Sequence, residues 1–180
     1  MSRFTFQFFS PIILFLLMIL DGQITHILTG VSSGTWVPVS HLFLIFLMYS
    51  VTQHRPSYII ILAAVLGAIY DSYYLGIYGI ATLLFPLIAL FIYNIQITIF
   101  TNRWTRLFTT IIIVTAFEVF SAIIMVAFGF AHLNFINFVV YQLAPTLLLN
   151  IILAVALQFP LEIFYRLKKS HGRYKLESVL

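Results

Sequence analysis

The chain has 180 residues, 62% of them hydrophobic and 8% charged, a mean hydropathy of +1.09 and a net charge of +4. So few polar side chains cannot cover a soluble globule of this size, which makes this an integral membrane protein folded as a single all-α bundle. The absence of cysteine excludes disulfides and thiolate metal sites.

In chain order, the apolar runs predict six transmembrane helices at about 8–28, 37–52, 57–74, 77–94, 107–128 and 135–160, a transmembrane domain over 1–165 and a tail over 166–180. Arg3 and the run from Pro11 to Leu28 have the start of a signal peptide without its small-residue cleavage site, so they read as an uncleaved first helix. The uncharged stretch TGVSSGTWVPVS that follows is a loop at a membrane face, with Trp36 suited to the headgroup layer. Val37 to Val51 falls short of the roughly 20 residues a span requires. It therefore tilts little, borrows Trp36 and Thr52, or is partly re-entrant.

Pro56 starts the third helix, where Ala63 and Gly67, and Ala64 and Ala68, have the four-residue spacing that lets two helix backbones approach closely. Leu75 to Gly79 turns the chain into a fourth span with Pro86 as a kink site. Asn94 to Arg106 reads as amphipathic and lying along an interface. The fifth span contains Glu118, and the sixth is interrupted by Pro145 and Asn150, with Gln142 nearby as part of a polar seam or a cavity lining.

With the N-terminus cytoplasmic, the nine cations Arg3, Arg55, Arg103, Arg106, Arg166, Lys168, Lys169, Arg173 and Lys175 all fall on one side. The three opposite loops have none, as the positive-inside rule requires. The positive charge therefore reports topology and contact with anionic lipid, and not nucleic-acid binding.

Asp71, Glu118 and Asp21 are the acids inside the apolar runs. An ionised carboxylate in hydrocarbon is costly, so each must sit near an interface, face other helices or be protonated. With no lysine or arginine at matching depth, protonation or hydrogen bonds to Tyr, Thr, Asn and Gln must suffice. One reading is a proton or cation pathway; the other is a set of carboxyls that fix helix register. The histidines His26, His41, His54, His132 and His171 are dispersed, with no i, i+4 pair to chelate a metal, and no catalytic or cofactor motif stands out. Tyr70, Tyr73, Tyr74 and Tyr78 read as an interfacial aromatic belt.

GAIYDSYYLGIYG at Gly67 to Gly79, Tyr93 at the end of the next helix and QLAPTLLLN at Gln142 to Asn150 resemble the rod shape-determining MreD family of bacteria. The specific part is the pattern Gly67, Asp71, Gly76 and Gly79. The resemblance implies a non-enzymatic, cofactor-free, multi-pass component of the bacterial inner membrane that regulates cell shape and peptidoglycan synthesis within the elongasome. It implies association with MreC, and through it with RodA, a class B penicillin-binding protein and MreB. It also implies similarity in fold to the substrate-binding subunits of energy-coupling-factor transporters, with the Asp71 motif shaping the outer half of the bundle where MreC docks. Glu118 matches no family feature.

Two other readings compete. A substrate-capture subunit of a vitamin-type transporter would use Asp21, Asp71 and the tyrosine-rich outer half as its pocket, but the first helix lacks the Ala-x-x-x-Ala docking face of such subunits. A proton-coupled carrier would need the internal repeat and discontinuous helices that this chain lacks.

Overall fold

The computed structural model describes residues 3–165, with side chains from Phe9 onward; the basic tail expected at 166–180, and the side chain of Arg3, lie outside the described residues. Six helices follow one another: α1 (Arg3–Val31), α2 (Leu42–Gln53), α3 (Pro56–Leu75), α4 (Ile80–Ile99), α5 (Arg103–Ala127) and α6 (Phe135–Phe164). Five of these, all but α2, are long and apolar enough to cross a membrane. Among the described residues there is no strand.

The short α2 is the centre of the bundle. All eight residues from Leu42 to Tyr49 are apolar or aromatic, and all but Phe46 are buried. α1, α4, α5 and α6 pack around it, while Leu14 and Met18 of α1 and Phe85, Ile88 and Ile92 of α4 complete the core. The outward faces remain apolar, as in Leu148, Ile152, Val155 and Phe159 on α6, because their solvent is lipid.

The expected second span over 37–52 is helical only in part. Residues 37–41 are not helical, and only Leu42–Gln53 is. Pro38 supplies the reason, since a proline pushes the residue before it toward extended backbone and cannot donate an N–H. The interfacial segment expected at 94–106 is corrected: α4 continues to Ile99, three residues connect, and Arg103 already opens α5. The polar residues there lie on the ends of two spans and not on a separate surface helix.

α3 and α4 form the tightest pair. Ala63 and Gly67 face α4, and a Cβ built on Gly67 would stand 2.5 Å from the Ala81 carbonyl oxygen. Glycine is therefore required there to let the two backbones meet. Ala64 and Ala68 lie half-buried on another side of α3. The α3–α4 turn uses left-handed backbone at Gly76 (φ +64°) and Gly79 (φ +116°), conformations that other residues rarely adopt.

A buried network of helix caps as the candidate functional site

α4 begins inside the protein, and the first N–H groups of any helix have no intrahelical acceptor. Asp71, fully buried in the last, widened turn of α3, supplies one from the preceding helix. Its Oδ2 accepts from the Gly79 N–H (2.8 Å), the Thr82 N–H (3.0 Å) and the Thr82 hydroxyl (2.7 Å), and its Oδ1 accepts from the Ala81 N–H (2.7 Å). Four donors converge on one carboxylate at the positive end of a helix dipole, and they satisfy it without any cation. The widened turn has its own closure, with the Gly76 N–H donating to the Asp71 carbonyl at 2.8 Å.

Asp21 repeats this arrangement from α1 at the start of α2. It accepts from the Leu42 N–H (2.7 Å), the Phe43 N–H (2.8 Å) and the Ser40 hydroxyl (2.6 Å). Both acids are thus caps delivered from another helix. Of the alternatives open for them, facing other helix ends is what the structure shows.

The non-helical segment before α2 would carry unsatisfied backbone into the bundle if nothing paired it. α6 pairs one edge of it. The Val37 N–H donates to the Tyr141 carbonyl (2.9 Å), the Val39 N–H to Thr146 Oγ1 (2.9 Å) and the His41 N–H to Asn150 Oδ1 (2.8 Å), while Asn150 Nδ2 donates to the Val39 carbonyl (2.8 Å). Residues 37, 39 and 41 therefore turn toward α6, and Ser40 turns the other way, its N–H donating to Thr25 Oγ1 of α1 at 2.9 Å. This alternation is that of an extended strand. Pro145 helps to make the Tyr141 carbonyl available, because an α-helix would fill that carbonyl with the N–H four residues later, and proline has none. The Tyr141 carbonyl, Thr146 and Asn150 accordingly form a polar seam against 37–41, and Gln142 joins it through Glu118.

Glu118 completes the network. Its Oε1 lies 2.8 Å from His41 Nε2, and its Oε2 accepts from Gln142 Nε2 at 2.9 Å. The partner of this acid is a histidine at the start of α2 and not a lysine or arginine. The His41 ring also stands edge-on to Phe117, with centroids 5.3 Å apart. Every predicted site residue is therefore placed: Asp21, Glu118 and Asn150 meet around residues 37–43, and Gly67, Asp71, Gly76 and Gly79 form a second site at the α3–α4 turn.

The tyrosines divide. Tyr73 and Tyr78 are exposed, as an aromatic belt requires, but Tyr70 packs between Phe85 and Phe117. Tyr74 lies against Gly22 and donates to the Met18 carbonyl at 2.8 Å, tying α3 to α1. For these two the belt reading is corrected. Gly22, Thr25, Ser40, Thr82 and Thr146 went unrecognised in the sequence, and His41 and Tyr74 carried other readings there; a glycine within α1 and a serine ahead of an apolar run were the available signals.

At the opposite end of the bundle, Glu162 of α6 accepts from Arg103 Nε (3.0 Å) and Nη2 (2.8 Å) and from Arg106 Nη2. Arg106 is buried there with the Phe100 ring beside it. Tyr165, just past α6, shares a 2.7 Å hydrogen bond with Ser50, and burial pushes its hydroxyl up to about 12. His54, in the turn between α2 and α3, has its pKa lowered by burial. Among the described residues, no three His, Asp or Glu side chains converge on a common point.

The model of the rod shape-determining protein MreD family matches residues 2–168. The cell shape-determining protein MreD of Streptococcus pneumoniae is 30% identical over 152 residues, which cover 82% of this chain and 90% of that protein. No solved structure matches the chain. With the match running through all six helices, the chain belongs to the MreD family of non-enzymatic cell-shape proteins.

Proposed function

We propose that the chain is a helical scaffold of the rod elongation machinery in the bacterial cytoplasmic membrane, binding MreC and, through it or directly, RodA, its class B penicillin-binding partner and MreB. The observation that carries this reading is where the buried polar groups go. Asp21, Asp71, Glu118, Thr146 and Asn150 bond to the chain's own backbone and side chains, so they hold helices in register. Partners then meet the lipid-facing helix surfaces and short loops.

In this reading the protein is one transmembrane domain that crosses six times, with both termini cytoplasmic. The extended residues 37–41 and the helix Leu42–Gln53 together measure about 34 Å at the usual rises per residue, enough for about 30 Å of hydrocarbon. Arg55, Arg103 and Arg106 then lie on one face, and the Asp71 site lies in the outer half with Gly67, Gly76 and Gly79 around it. That site shapes the α3–α4 turn as a docking surface for MreC.

The test is purification of the tagged full-length chain from its native membrane in mild detergent, with co-purifying proteins identified by mass spectrometry. Recovery of MreC or the elongation synthase supports the scaffold. Recovery of ATPase subunits with a transmembrane coupling protein would replace it with a transport subunit.

A further inference from the structure

Between α4 and α5 the bundle carries a lateral groove of about 480 Å³, within the size range of pockets that enclose small molecules. Every lining side chain is aliphatic or phenylalanine. Leu84, Ile88, Ile113 and Phe117 are its buried floor, and Leu87 and Phe120 are exposed on its walls. With no hydrogen-bonding side chain in the lining, the groove suits a hydrocarbon occupant and offers nothing to orient a polar ligand.

Length separates the two forms such an occupant can take. The groove runs from Leu83 to Phe91 on α4 and from Ile112 to Ile124 on α5, which is about 12 Å and about 18 Å of helix. A transmembrane partner helix would need a track of about 30 Å, whereas one leaflet supplies about half of that. The groove also sits toward one end: Leu83 is one turn into α4 from the Gly79 turn, and Ile124 is one turn from the end of α5. Its remaining ends, toward Ile99 and Arg103, lie two turns or more away.

We infer that the α4–α5 groove binds one acyl chain of a membrane lipid from the leaflet that meets the α3–α4 turn. The bound chain rests on Phe117, whose ring packs on His41 beside its Glu118 contact. Occupancy therefore bears on the residues that hold the start of α2.

The test places the full-length protein in nanodiscs of phosphatidylglycerol and phosphatidylethanolamine carrying a diazirine on the acyl chain, and maps the photoadducts by peptide mass spectrometry. Adducts on the groove walls are expected to exceed those on the equally apolar α6 face at Leu148, Ile152 and Val155 by about tenfold. Ala116→Phe, which fills the groove, should bring them down to the α6 level, and Leu148→Phe should change nothing. Uniform labelling of the two faces overturns the inference, as does undiminished labelling of a folded Ala116→Phe. The wild-type comparison stands even if that variant folds poorly. A photoreactive residue placed at Leu87 in cells should yield lipid adducts; a discrete protein adduct there would show a partner helix in the groove and would also overturn it.

Discussion

Replacing Asp71 tests the cap network most directly. Asp71→Leu removes the acceptor for three backbone N–H groups, that of Ala81 fully buried and those of Gly79 and Thr82 partly so, at about 1–3 kcal/mol for each one left unsatisfied. Relaxation of the Gly76–Gly79 turn recovers part of this, so the expected loss is about 4 kcal/mol. Asp71→Asn is a sharper probe. All four contacts to the carboxylate are donors, so the new amide nitrogen must oppose N–H groups whichever way it is turned. With its oxygen in the Oδ2 position the amide keeps Gly79 and Thr82, the –NH2 opposes the Ala81 N–H, and the cost is about 2 kcal/mol. Thermal unfolding in detergent should therefore rank wild type above Asp71→Asn and Asp71→Asn above Asp71→Leu, with the leucine variant lower by about 10 °C at a few degrees per kcal/mol. A leucine variant that melts within about 2 °C of wild type would refute the capping role. An asparagine variant as stable as wild type would show that the site accepts a donor, against the geometry.

Gly67→Ala should destabilise the protein by about 2 kcal/mol because the added carbon meets the Ala81 carbonyl, a backbone atom that cannot rotate away; an unchanged melting temperature would show that α3 and α4 can separate freely. Glu118→Leu leaves His41 and Gln142 without their acceptor and should cost about 3 kcal/mol, and a double-mutant cycle with His41→Leu should return a coupling of about 2 kcal/mol between the two residues. His54 has its pKa lowered by burial, so its neutral form belongs to the folded state. Its contribution to stability is whole above the ordinary histidine pKa and is lost as pH falls below about 6.5 toward the lower folded value. His54→Phe, which keeps a ring beside Tyr58, should flatten that part of the profile measured by pH-dependent melting.

The long spans were legible because their signal is composition over twenty residues, and α1, α3, α4, α5 and α6 each supply it. α2 was not, because a buried helix of this length and an apolar extended segment read alike; Pro38 was the local mark that separated them. Asp71 stood out for its depth and its glycines, but the identity of its partners was hidden. They are backbone N–H groups, which every residue has, and the Asp71 spacing to Gly79, Ala81 and Thr82 matters only once the chain has turned. The His41–Glu118 contact was hidden for a different reason. Those residues are 77 positions apart, and a lone histidine in an apolar run carries no pattern that points to an acid on a helix so far along the chain.

The placement of the acids decides how loss-of-function variants should be interpreted. A carboxylate facing a partner would have unused acceptors, or a donor supplied from outside the chain. Asp71 has four internal donors and Asp21 three, all within 3.0 Å. A cell-shape defect in an Asp71 variant would therefore arise through the α3–α4 turn and not by deleting a contact to a partner. Residues that touch a partner should instead be sought among the exposed side chains of the α3–α4 turn, such as Tyr73 and Tyr78, and on the apolar outer surfaces, where exchanging one large side chain for another leaves the caps and the melting temperature intact. A variant such as Leu148→Phe that loses rod shape without losing stability would locate the interface, and no substitution at Asp71 can make that distinction alone.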